Sequence, residues 1–269
     1  MTLAITGKTA IVTGAAHGIG LAITRHFLDR GVHVMCADLD EEKLEAEFGE
    51  SARMDGPARY FAGDLCQKLT VNNLLSATVD AFERIDILVN AARTFQTSDA
   101  LDASGEALDQ MLTQNMRGAL RMSQMTAKRM IALAEKEGRT SGEVGCIVNV
   151  SSLAASRTRP ETLAYSVACA AQDQATRSLA VALAPHRIRV NAVSFASVMS
   201  ASLQSALKDN PDWREEIVAG TPLGRIAPAS DIVETVQYLA SSGAAFVTGQ
   251  TIQVDGGRSL IDPVRVPAF

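Results

Sequence analysis

Apolar positions along this chain fall into two alternating kinds of stretch. Short runs, rich in Val and Ile and apolar on both faces, stand at 8–13, 32–37, 58–62, 85–90, 144–150, 187–193 and 251–254. Such runs predict strands buried on both faces, as in parallel sheets. Longer amphipathic stretches between them predict helices, among them 20–30, 70–82, 106–130, 163–184 and 229–241. The alternation implies crossover units and a parallel α/β sheet covered by helices on both faces. No composition shift, Pro/Gly-rich linker or repeat divides the chain. The polar stretch 135–143 is expected to be a mobile, solvated loop without a catalytic role. The last residues, 258–269, predict a loose tail or one docked on a neighbouring subunit.

Composition narrows this picture. At 269 residues and 47% hydrophobic, the chain can bury a sizeable core. A net charge of −5, with no block of basic residues, argues against a nucleic-acid partner. No apolar run is long enough to cross a membrane. The first strand pattern starts within ten residues of Met1, which leaves no room for a secretory signal. The four cysteines (Cys36, Cys66, Cys146, Cys169) form no C-x-x-C pair and read as reduced thiols in a cytoplasmic protein. His17, His26, His33 and His186 have no metal-ligand spacing, so no metal is expected.

The candidate chemistry begins at the first strand–helix junction, Thr13-Gly-Ala-Ala-His-Gly-Ile-Gly20. Glycines at 14, 18 and 20 let the backbone approach a pyrophosphate at a helix N-terminus. His17 and Ile19 lie within the same turn. Asp38 closes the second strand, where a carboxylate accepts from a ribose 2′-OH and repels a 2′-phosphate. With no Lys or Arg in the turn, NAD(H) is expected over NADP(H). Asp38 is equally a candidate cap for the helix beginning near Glu41, and so is Asp40.

Beyond T-G-x-x-x-G-I-G, the chain carries in order Gly63-Asp64-Leu65, Ile87-Leu-Val-Asn90, Asn115-Met-Arg-Gly118, Ile147-Val-Asn-Val-Ser-Ser152, Tyr165, Arg187-Ile-Arg-Val-Asn-Ala-Val193, Phe246-Val-Thr-Gly-Gln and Val254-Asp-Gly-Gly257. On these elements it resembles the short-chain dehydrogenase/reductase family over nearly its full length. The resemblance implies a single doubly wound Rossmann-type domain over 1–269, with a seven-stranded parallel sheet. It also implies a substrate lid at about 195–222, and a homodimer or homotetramer assembled through the helices at 106–130 and 163–184. Asp64, Leu65, Asn90, Ala91, Val198 and Ser200 are then cofactor contacts. Tyr165 exchanges the alcohol proton, Ser152 donates to the substrate oxygen, and Asn115 holds a water in a proton relay. The implied reaction interconverts a secondary alcohol and a ketone.

Three departures fall where the family holds the nicotinamide end. N-N-A-G reads Asn90-Ala-Ala-Arg93, the lysine of Y-x-x-x-K is Cys169, and the Pro-Gly after the sixth strand is Phe195-Ala196. The lysine position lies one helical turn from the tyrosine, on its face. A free tyrosine has a pKa of about 10, so only about one in a thousand is ionised at pH 7. A neutral thiol cannot lower that value, and loss of the cation costs a factor approaching ~10³ in any step that needs tyrosinate. Two readings stay open: a working oxidoreductase that favours reduction, or an NAD(H)-binding sensor or partner subunit with little turnover. Arg93 is a candidate replacement cation. Arg157 and Arg159 are candidate contacts for an anionic substrate. All three are equally readable as solvated surface arginines. Leu203, Leu207 and Trp213 in the lid are consistent with an apolar substrate.

Overall fold

A computed structural model describes residues 2–262. Its seven strands are β1 Thr9–Thr13, β2 His33–Asp38, β3 Ala58–Ala62, β4 Ile87–Asn90, β5 Gly145–Ser152, β6 Ile188–Phe195 and β7 Thr251–Val254. All pair in parallel, in the order β3-β2-β1-β4-β5-β6-β7. Every residue of β1, β4 and β6 is buried, the reason these runs carry no polar face. The chain winds outward in one direction through β2 and β3. It then returns to the far side of β1 with β4, which opens a crevice at the carboxyl ends of β1 and β4.

Helices cover both faces. Ile23 and Phe27 of α1 (Gly18–Asp29), Leu44 and Phe48 of α2 (Glu41–Arg53) and Val236 and Leu239 of α9 (Ala229–Ala240) pack one side. Leu74 of α3 (Lys68–Phe82), Met122 and Met130 of α5 (Gly118–Lys136) and Ala180 of α6 (Leu163–Leu183) pack the other. Two short helices, α7 (Ala201–Asp209) and α8 (Trp213–Ala219), form the segment expected as a lid.

Three expectations change. The helix expected over 106–130 is broken: α4 (Glu106–Met111) ends in a π-helical segment, Leu112–Arg117, before α5 resumes. A π segment keeps nearly the same apolar spacing as the helix around it, so the pattern does not reveal it. The loop expected to be mobile at 135–143 starts later, because α5 runs to Lys136. It is also tied down at its end, where Glu143 pairs with the buried Arg189 at 2.5 Å. Of the expected tail, Arg258–Leu260 form a short 3-10 turn, and 263–269 lie outside the described residues.

Candidate active site

The Gly-rich turn is shaped by its backbone. Gly14 has φ +70°, and a Cβ there would stand 2.8 Å from Ala92 Cα, so only glycine lets the turn pass under the β4 loop. Gly18, at φ +50°, faces open space. α1 begins there with no side-chain cap from His17 and no acidic residue in its first turn. Its first N–H groups are therefore free for an anion, and the turn fits a pyrophosphate. Ile19 packs against the core below.

The two aspartates divide their roles. Asp40 caps α2 by accepting from Lys43 N at 3.1 Å. Asp38 accepts from Ala16 N at 3.0 Å through one oxygen, and from Leu39 N and Asp40 N through the other. Its carboxylate thus braces the Gly-rich turn against β2. His17 folds onto α2, with Nε2 2.9 Å from Asp40 Oδ2 and Nδ1 3.3 Å from Lys43 Nζ. The turn itself lacks a cation, yet Lys43 reaches it from α2, which the local sequence did not reveal.

Further along the edge, the Asp64 carboxylate accepts from Cys66 N, and Leu65 packs partly into the core. Asn90, expected as a cofactor contact, turns its amide into a buried polar seam. It donates to Asn149 Oδ1 at 2.8 Å and Ser123 Oγ at 2.9 Å. The β4 loop is anchored instead by Thr13, whose Oγ1 accepts from Ala91 N and Ala92 N.

At the other end, the register pairs Ser152 of β5 with Phe195 of β6, and α6 carries Tyr165 and Cys169 across their carboxyl ends. Tyr165 and Cys169 are both buried. Burial pushes the Tyr165 phenol up to about 12; Arg93 and the facing Ser152 hydroxyl oppose the rise, and Cys169 adds to it. Burial also raises the Cys169 thiol, against the pull of Arg93. The Arg93 guanidinium lies over the Phe195 ring, 4.9 Å from its centroid, and over the Tyr165 ring at 5.5 Å. Its Nη1 donates to Ser151 O at 2.8 Å. Arg93 therefore joins Phe195 to Tyr165 and acts on Cys169 as well.

Asn115 sits in the π segment, buried, and its amide is spent on the backbone of Thr94. It accepts from Thr94 N and donates to Thr94 O, both at 2.8 Å. Asn115 thus pins the loop that carries Arg93. Phe95, next in that loop, meets Tyr165 edge-on at 5.1 Å. Only its aromatic character in a polar loop could have singled it out.

On the lid side, the Ser200 side chain caps α7 by accepting from Leu203 N. Val198 is buried and bridges to Ala227. Leu207 packs inward while Trp213 is half-exposed. A cavity of about 490 Å³, lined by Ser197, Thr221, Pro222, Leu223 and Asp255, lies against the lid and does not include Tyr165. Arg157 is exposed, and exposed Arg159 stands 4.0 Å from Glu216 of α8. No group of three or more metal-binding side chains, and no helix long and apolar enough to cross a membrane, occurs among the described residues.

A doubly wound sheet with a free helix N-terminus at its switch point and a buried tyrosine across the cleft defines a dinucleotide-binding α/β protein. The family model described as enoyl-(acyl carrier protein) reductase matches residues 14–259, and the chain belongs to this short-chain dehydrogenase/reductase family of oxidoreductases. It is 32% identical over 257 residues to an L-xylulose reductase of Bos taurus, covering 96% of this chain and 98% of the relative. A 7α-hydroxysteroid dehydrogenase solved with NADH and 7-oxo glycochenodeoxycholic acid superposes with a TM-score of 0.85 at 26% identity, covering 95% of this chain and 96% of that one. A gluconate 5-dehydrogenase from Burkholderia cenocepacia, solved with NADP and tartrate, shares the fold at a TM-score of 0.86 and 24% identity, covering 97% of this chain and 98% of that one.

Proposed function

We propose that this chain is an NAD(H)-dependent oxidoreductase interconverting a secondary alcohol and a ketone through an altered catalytic set, with Cys169 at the position of the family's lysine. The observation that carries this reading is the Tyr165 phenol, faced by Ser152 on the same sheet edge as the open Gly-rich turn. Bound nicotinamide supplies or accepts the hydride. Tyr165 gives the proton to the nascent alkoxide in reduction, and Ser152 donates a hydrogen bond to the same oxygen. Asn115 contributes by holding the Thr94 backbone, and with it the loop that covers Tyr165.

The direction of the reaction follows from the phenol. With Tyr165 at about 12, only about one in 10⁵ is ionised at pH 7. Reduction starts from the protonated phenol, which is fully populated, whereas oxidation needs the base. Reduction is therefore the favoured direction, with oxidation recovering at alkaline pH. NAD(H) is preferred because Asp38 closes β2 beside the turn; Lys43, the cation that reaches the turn, is 3.8 Å from Asp40. The substrate is a small alcohol or ketone, the compartment the cytoplasm, and the assembly a homodimer or homotetramer through α5 and α6, where Val181 is 78% exposed.

The same raised phenol supports a second reading, a protein that binds NAD(H) with little turnover as a sensor or partner subunit. Fluorescence titration with NADH and NADPH, followed by a carbonyl screen of the native and Cys169→Lys proteins, separates the two. NADH binding with reduction by the native chain supports the enzyme. NADH binding with turnover only in Cys169→Lys supports the second reading, and failure to bind either cofactor overturns both.

A further inference from the structure

The geometry points to Arg93 as the positioning cation of this site: held between the ring faces of Tyr165 and Phe195, it places on Tyr165 the positive charge that Cys169 cannot provide. This rests on the enzymatic reading above and names the residue that makes it workable. Each neighbour fixes part of the placement. Ser151 O accepts from Nη1 at 2.8 Å, and the Phe195 ring lies 4.9 Å from the guanidinium. A proline at 195 would offer no aromatic face to a cation. Asn115 clamps Thr94, the residue after Arg93, at both backbone atoms, so the base of the side chain is fixed as well. The other guanidinium N–H groups have no protein partner among the described residues and remain available to a ligand hydroxyl.

The charge lies over the Tyr165 ring. The groups acting on Tyr165 are Arg93 from the β4 loop, Cys169 from its own helix and the Ser152 hydroxyl from β5. Of these only Arg93 is a cation. Burial, with a smaller push from Asp173 one turn beyond it, raises the Cys169 thiol and keeps it protonated rather than anionic. With a neutral thiol at 169 the phenol depends on this arginine for its positive charge, and a lysine there would add a second cation acting on Tyr165 in the same direction. Arg93, Cys169 and Phe195 are in this view one exchange made in three places.

The test titrates the phenol directly and needs no turnover. In the Cys169→Lys protein, where Tyr165 ionises within a measurable range, tyrosinate absorbance is read as the difference from the same protein carrying Tyr165→Phe. Adding Arg93→Ala is expected to lower the tyrosinate fraction at a fixed alkaline pH by about tenfold, equivalent to one pKa unit. Arg93→Met, which keeps an apolar stem on Phe195, should do the same, and Arg93→Lys should restore most of the loss. In the otherwise native chain, Arg93→Ala should move the alkaline limb of the oxidation profile upward, with Arg93→Lys rescuing it. Superimposed titration curves, or a loss confined to the KM for NAD with an unshifted pH profile, would overturn the assignment. A chain that titrates as expected yet reduces no carbonyl leaves Arg93 in place and removes the enzymatic reading; a chain that turns over with unshifted titrations does the reverse.

Discussion

The two ends of the cleft are built from different material. At the Gly-rich end the backbone makes the site: a turn at positive φ, free N–H groups at the start of α1, and a carboxylate bracing the loop from β2. At the Tyr165 end side chains make it, and each depends on another. Arg93 rests on Phe195 and Ser151 O, Tyr165 lies under Arg93 and against Phe95, and Asn115 pins the loop above them. A backbone site tolerates little change and keeps its pattern. A side-chain site can exchange several members together and keep its electrostatics. Arg93, Cys169 and Phe195, the positions expected to depart from the family pattern, all lie at the second end.

The sharpest way to break this contrast is Tyr165→Phe. Loss of a proton donor costs about 10²–10⁴ in rate. Turnover should fall by that much, with NADH affinity unchanged because the Gly-rich end is untouched. A matching loss of NADH affinity would show that the two ends are not separable. The next largest effect is a gain. Cys169→Lys should raise alcohol oxidation near neutral pH by a factor approaching ~10³, because the tyrosinate fraction grows, and should move the alkaline limb of the oxidation profile toward neutral pH. A gain with an unshifted pH profile would mean that the lysine acts through the cofactor rather than the phenol.

Stability reports on the same phenol. A tyrosine raised from about 10 to about 12 holds its proton longer in the folded chain than in the unfolded one. Its contribution is therefore fully present below pH 10 and is lost as pH rises through 12. Two units amount to about 2.7 kcal/mol at most. Urea unfolding between pH 9 and 12 should show the native chain losing up to that much more stability than Tyr165→Phe. The buried thiols of Cys36 and Cys146 titrate in both proteins and cancel in the difference. Parallel curves would place Tyr165 in a wetter setting than its burial indicates.

The contrast also governs what could be read from the sequence. Strands buried on both faces and a glycine turn are local signals, and all seven strands and the Gly-rich loop follow from them. The destination of a long side chain is a tertiary matter. Arg93 was equally readable as solvated, and only the fold carries it to Phe195, which lies 102 positions further along the chain. Asn90 and Ser200 show the same limit: the pattern gives their positions, while only the fold shows that Asn90 Nδ2 donates into the polar seam and that Ser200 Oγ caps α7. The π segment escaped because its apolar spacing mimics the helix around it, although it is what turns Asn115 toward Thr94.

The smallest expected effect falls at the backbone end, on Asp38. Asp38→Asn keeps one oxygen to accept from Ala16 N and gives up only the local bonds from Leu39 N and Asp40 N, so the brace on the turn should hold and NADH affinity should change little. What the substitution removes is a negative charge beside the place expected for the ribose, with Lys43 already reaching that side of the turn. Removing one unit charge near a 2′-phosphate is worth about 1.4 kcal/mol at an interaction distance partly screened by water, or about tenfold in NADPH affinity. Fluorescence titration of both cofactors against both proteins measures it. If NADPH affinity does not rise, Asp38 is a brace for the Gly-rich turn and not a reader of the ribose. The backbone end would then owe its cofactor preference to Asp40 and Lys43, the capped start of α2, rather than to the end of β2.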